Sequence, residues 1–207
     1  MVIILYKGVS DMRIFTVFAA AFIALAVLTG CVEPVVFSEV FQQTTDQKIY
    51  TKYNIWYTDP GNISSLNIQH GSFIPVGTEI EPVSTSWAKD EIKFKTVKDG
   101  KEYTIKFSSG YRLCSMRDFI AYTFTTEPPA ELLKDQPDAV KERIRRGEVV
   151  PGMNEKAVLL TYGPPPACRT ADLRNESWIY WRSPSNTIRV ILRDDRVRTI
   201  LNVGQQL

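Results

Sequence analysis

Ala139-Val140-Lys141-Glu142-Arg143-Ile144-Arg145-Arg146-Gly147 is followed by Asn154-Glu155-Lys156-Ala157-Val158-Leu159-Leu160-Thr161-Tyr162-Gly163. Trp178-Ile179-Tyr180-Trp181, Thr187-Ile188-Arg189-Val190-Ile191-Leu192 and Val197-Arg198-Thr199-Ile200-Leu201 then complete the stretch. The first block ends in cations before a glycine, as a helix C-terminus does, because cations oppose the helix dipole and glycine takes the left-handed residue that closes the last turn. The second opens on Asn154 as N-cap with Glu155 in the first turn, and stops at Gly163 before three prolines. The three remaining runs are rich in β-branched and aromatic residues. They are joined by Ser183-Pro184-Ser185-Asn186 and by Arg193-Asp194-Asp195-Arg196, so they form an antiparallel meander. Helix, helix, then three strands is an α+β arrangement with the helices on one face of the sheet.

Upstream the period shortens to that of strands. Ile49 to Tyr57 is a strand that stops at Asp59-Pro60-Gly61; Ser64 to Ile68 and Phe73 to Ile80 are short strands interrupted by Gly71 and Pro75-Val76-Gly77. Ile92 to Lys95 and Tyr103 to Phe107 alternate apolar and polar residues around Asp99-Gly100, a hairpin with one core face and one lysine-coated face. Phe119 to Phe124 is apolar and β-prone, and Glu127-Pro128-Pro129 breaks it. Short strands with turns every 8 to 12 residues predict a small barrel or rolled sheet. The phrase Gly71-x-Phe73-Ile74-Pro75-Val76-Gly77-Thr78 is similar to bacterial SH3-type barrels, which implies a peptide- or wall-binding fold without fixing a function.

The N-terminus carries an address. Ile14 to Leu28 is an unbroken apolar run after Arg13, shorter than the roughly 20 residues a membrane-spanning helix needs, and is a signal-peptide core. Leu28-Thr29-Gly30-Cys31 resembles the lipobox of bacterial lipoproteins, which implies cleavage before Cys31 and acylation of that cysteine. Translation starts at Met1 or at Met12, since Val2 to Tyr6 is apolar in what would be the signal's leading region. Several acyl chains hold a protein on a bilayer far better than one, so the folded part need contribute nothing to membrane attachment. In such lipoproteins an Asp after the lipidated cysteine favours the inner membrane. Val32 stands there, which implies the periplasmic face of the outer membrane. The expected organisation is a signal peptide over 1–30, a lipidated tether over 31–47, a β-rich module over 48–126 and an α+β module over 127–207.

The 207 residues are 44% hydrophobic and 23% charged, the composition of an ordinary globular protein and not of a disordered chain. The formal net charge is +2, and losing Lys7, Asp11 and Arg13 with residues 1–30 makes it +1. Nothing in that balance supplies the basic surface that nucleic acid requires. With Cys31 acylated, Cys114 and Cys168 remain as an even pair in an exported chain. A bridge between them closes a long loop worth about 4 kcal/mol if unstrained; the other reading is two free thiols.

The order Ile144-x-x-Gly147, Gly152-Met153-Asn154, Val158, Gly163-x-Pro165, Trp178-x-Tyr180 and Val197-x-x-Ile200 resembles the SmpA/OmlA (BamE-like) lipoprotein family over roughly 140–203. The resemblance implies an accessory of outer-membrane β-barrel assembly that binds partner proteins and anionic phospholipid. Two departures stand beside it. Members of that family are usually small single domains, whereas this chain interposes a β-rich segment, and the turn Asp194-Asp195-Arg196 lacks the glycine such turns prefer. The same two-layer shape also resembles β-lactamase-inhibitor domains, which bind other proteins.

Trp181 with Arg182, beside an Asn/Ser/Pro loop, has the composition of a binding hot spot. Arg143 and Arg146 can meet anionic headgroups or simply close a helix. His70 is the only histidine; a hydrolase would need it as base with Ser64, Ser65 or Ser72, yet it sits in a polar turn. The chain has no P-loop, G-x-S-x-G or H-E-x-x-H, and no Cys/His cluster for zinc, so neither cofactor nor metal is expected. The expectation is a non-enzymatic lipoprotein working as an envelope assembly or scaffold factor. The alternatives are a peptidoglycan- or peptide-binding lipoprotein using the β-rich module, and a hydrolase using His70.

Overall fold

Residues 36–42 and 47–204 are described by a computed structural model. The expected signal peptide and the expected acylation site, Cys31, lie outside the described residues. The elements run α1 (Val36–Phe41), β1 (Ile49–Thr51), β2 (Ile55–Tyr57), β3 (Ile63–Ser64), β4 (Ser72–Ile74), β5 (Glu79–Ser86), β6 (Glu91–Thr96) and β7 (Glu102–Lys106). They continue α2 (Ser109–Arg112), α3 (Met116–Thr123), β8 (Phe124–Thr125), α4 (Pro129–Leu133), α5 (Asp138–Arg145) and α6 (Glu155–Tyr162). Strands β9 (Ser177–Trp181), β10 (Asn186–Arg193) and β11 (Arg196–Gly204) end the described chain. The fold is α+β and rich in β structure, as the sequence predicts.

A six-stranded sheet in the order β3-β7-β6-β5-β1-β8 is built around the predicted hairpin, with Phe94 opposite Tyr103 and Ile92 opposite Ile105. Gly100 takes φ +67° at the turn, and Asp99 Oδ1 accepts from the Thr96 hydroxyl and the Lys101 amide. The alternation does what it promised: Ile92, Phe94, Tyr103 and Ile105 are buried, packed with Phe37, Phe119 and Phe124 in one hydrophobic core. Strand β5 runs on through Pro82, where its register with β6 shifts between Pro82 and Ser84. A proline has no N–H to give the ladder, so a bulge is where a strand can hold one.

Four expectations change here. Ser64 to Ile68 is not a strand: only Ser64 belongs to one, β3, and Asn67 at φ +53° breaks the run. Ile49 to Tyr57 is two strands, because Tyr53 and Asn54 turn inward: the Tyr53 hydroxyl bonds Thr123 Oγ1 at 3.0 Å and both residues are buried. Phe119 to Phe124 is not a strand; all but Phe124 belong to helix α3, which Ser115 starts with a capping box closed by Asp118. Part of the segment read as tether is helix α1, whose Phe37 is buried with its ring centroid 5.1 Å from that of Phe124.

The C-terminal elements follow the sequence closely. Asn154 Oδ1 accepts from the Ala157 amide at 2.8 Å, and Gly147 and Gly163 close their helices at φ +69° and +73°. Strand order is β11-β10-β9, antiparallel throughout. The β10–β11 turn needs no glycine because Asp194 and Asp195 both take positive φ, 52° and 57°, and aspartate tolerates that region better than most residues. Trp178 and Tyr180 share the buried face with Val190 and Leu192, under Ile144, Ala157, Val158 and Leu160 of the two helices.

The two cores meet along a polar seam. Helix ends leave carbonyls without intrahelical donors, and side chains of the β-rich segment supply them. Asn54 Nδ2 donates to Ile144 O (2.8 Å), Asn67 Nδ2 to Tyr162 O (2.7 Å) and Gln69 Nε2 to Tyr162 O (3.2 Å), while the Asn54 amide donates to Leu160 O (3.1 Å). Asn54 Oδ1 accepts from the Val76 amide and Asn67 Oδ1 from the Trp56 amide. Residues 34–207 form one compact unit across this seam.

Candidate functional site

The seam also fixes the β9–β10 turn. The Gln69 amide donates to Trp181 O at 2.8 Å, laying Ser183 and Pro184 against the irregular segment after β3. A groove runs around that turn. One part, about 520 Å³, is lined by Trp56, His70, Tyr111 and Arg182 among others. A second, about 530 Å³, shares Ile68, Tyr111 and Pro184 with it and adds Arg169 and Trp181. A third, about 420 Å³, shares Trp56, His70 and Arg182 with the first and reaches Gln69 and Gly147.

The sequence-predicted residues sort around this groove. Trp181 and Arg182 both line it. The Trp181 ring is half-buried beneath Arg169, whose guanidinium carbon lies 4.9 Å from the ring centroid, a cation–π contact. Arg182 is exposed and held by Asn202 Oδ1 at 3.3 Å. His70 is exposed in the groove, and no described side chain hydrogen-bonds its ring. Ser65, one of its proposed nucleophiles, is buried and accepts from the Ser108 amide. Arg143 and Arg146 line none of the groove: each is exposed at the end of α5, Arg143 on Glu148 and Arg146 on Glu142 at 3.0 Å. The pairing of Glu142 with Arg145 and then Arg146 holds its carboxyl below the usual range.

The expected bridge between Cys114 and Cys168 is not formed; both are free thiols. Their surroundings give the reason. Cys168 is exposed in the groove, whereas Cys114 faces a separate cavity beside Tyr53 and Phe119. Burial pushes the Cys114 thiol up, partly offset by Arg112. Among the described residues no three His, Cys, Asp or Glu gather as a metal site.

Sequence reasoning missed most of the groove's other wall. Trp56, Leu66 and Tyr111 come from the β-rich segment and meet the β9–β10 turn only because the seam puts them there. The buried indole nitrogens of Trp56 and Trp181 have no hydrogen-bond partner. Long, partly apolar and aromatic, with the exposed guanidinium of Arg182 at its side, the groove suits a polypeptide segment better than a compact polar substrate. No protein-family model, curated protein or solved structure matches this chain.

Proposed function

We propose that the chain is a non-enzymatic lipoprotein, acylated at Cys31 and facing the periplasm from the outer membrane, that binds other envelope proteins as an assembly or scaffold factor. The observation that supports it best is the groove around Trp181 and Arg182. An aromatic anchor beside an exposed arginine is the pairing on which protein interfaces concentrate their binding energy. The resemblance to BamE-like lipoproteins rests on the helix–helix–meander segment and suggests components of β-barrel assembly as partners. Arg143 and Arg146, both exposed at the C-terminal end of α5, suit a minor contact with anionic headgroups, each worth about 1 kcal/mol near a charged bilayer.

A second reading, binding of peptidoglycan or peptide, has its own support: Trp56, Ile68, His70 and Tyr111 give the groove a wall from the β-rich segment. A photo-crosslinking residue at Ser185, in native membranes, distinguishes them. Crosslinks to envelope proteins that vanish in Trp181→Ala/Arg182→Glu are expected. Crosslinks to cell-wall fragments alone would turn the assignment to the second reading, and none at all would overturn both.

A further inference from the structure

Away from the groove, helix α2 ends in an arginine that the structure has buried. Arg112 is 7% exposed. Its Nε donates to Ser65 O at 2.5 Å and its Nη1 to Pro164 O at 3.0 Å, and its guanidinium carbon lies 5.4 Å from the centre of the Phe119 ring. Nη2 is buried with no partner. The groups that sense its charge are Tyr53, Cys114, Tyr180 and Cys168, and none of them is a carboxylate. An arginine keeps its proton inside a protein, and a buried cation without a counter-charge is rarely retained unless something pairs with it.

Arg112 lines a cavity of about 310 Å³ whose other walls include Tyr53, Phe119, Tyr122, Pro164 and Leu173. The mouth is apolar: Leu113, Tyr122 and Leu173 are 64%, 55% and 41% exposed. Leu113 also holds a left-handed backbone, φ +53°, which a bulky residue adopts only where its surroundings fix it. A cation at the wall, apolar sides and an apolar rim define one chemistry.

We propose that this cavity binds a carboxylate carried on an apolar body, the carboxylate taken by the Arg112 guanidinium and the apolar part held by the aromatic and proline walls. Two sources share that chemistry, a peptide C-terminus ending in an apolar residue and a fatty acid. The site is separate from the Trp181 groove and does not rest on the function proposed for it.

Calorimetry on the full chain in detergent tests this with 3-phenylpropanoate and 3-phenylpropanamide, isosteres that differ in charge. The acid is expected to bind saturably and the amide at least tenfold more weakly, since hydrogen bonds to a charged partner are the stronger kind. Arg112→Lys keeps the charge but loses the fork and is expected to bind at least tenfold more weakly; because that buried change can disturb folding, Ala171→Trp is the second variant. Ala171 is exposed and lines the cavity. The variant is expected to keep the unfolding temperature and lose at least tenfold in affinity. Equal binding of acid and amide, unaltered binding by Ala171→Trp, or no saturable binding at millimolar acid would each overturn the proposal. Tighter binding of N-acetyl-Leu-Phe than of octanoate identifies a chain terminus as the source, the reverse a fatty acid.

Discussion

Gly163 shows how one residue joins the two cores. It closes α6 at φ +73°, and a Cβ added there would lie 2.7 Å from two atoms of the Tyr53 ring. Gly100 has a similar φ, +67°, with nothing within 4 Å of the same added atom. Gly163 differs in backbone too: its ψ of −178° lies in a region that essentially only glycine enters. Gly100→Ala should cost only the left-handed penalty, about 1–2 kcal/mol. Gly163→Ala should cost the strain of its glycine-only region, about 1–3 kcal/mol, plus overpacking against a buried ring, for a total of about 2–6 kcal/mol. Urea unfolding of the two variants measures the difference, and equal losses would show that neither the strain at Gly163 nor the Tyr53 ring adds a cost. Asn54 carries the same lesson in hydrogen bonds. It is fully buried, and Asn54→Ala strands the Val76 amide and leaves Ile144 O to the Gly147 amide, for an expected loss of about 1–3 kcal/mol.

At the scale of elements, local chemistry was legible wherever it was self-contained. Asn154, Gly163, the Asp99-Gly100 turn and the alternation of β6, β7 and β10 each act through neighbours within a few residues. Helix α3 was legible too, through Ser115 and Asp118 at capping-box spacing, but the apolar, β-prone run after it masked the signal. What could not be read was the split between β1 and β2, or the burial of Arg112, because both depend on partners far along the chain. Ser115→Ala should destabilise by about 1 kcal/mol. The β10–β11 turn makes a prediction with a pH sign. Asp195→Gly relieves a left-handed non-glycine residue and should stabilise by about 0.5–1 kcal/mol. Burial, and then Asp195, also push the Glu155 carboxyl up. A carboxyl raised on folding costs stability above its unfolded value, near pH 4.3, and costs nothing well below it. The gain from Asp195→Gly should therefore be larger at pH 7 than at pH 3, which thermal unfolding at the two values checks.

Taken whole, the molecule has two hydrophobic cores but shares the satisfaction of its backbone between them. Ile144 O, Leu160 O, Tyr162 O and Pro164 O receive donors from Asn54, Asn67, Gln69 and Arg112. Pulling the halves apart would leave those carbonyls to water, along with the faces of Gly147 and Gly163, each of which seats an aromatic ring. It would also dismantle the groove, whose walls come from both sides. Neither core can then unfold at no cost to the other, since each loses part of its hydrogen bonding when its neighbour melts. Hydrogen exchange in rising urea should show amides of β6, in the first core, and β10, in the second, merging into one global opening with a common midpoint. Asn67→Ala should lower both together, because Asn67 bonds Asn54 O and Tyr162 O at once. Exchange in which β10 opens well before β6, or an Asn67→Ala effect confined to one sheet, would show instead that the seam is a contact between independent domains and that the groove can be taken apart without unfolding either.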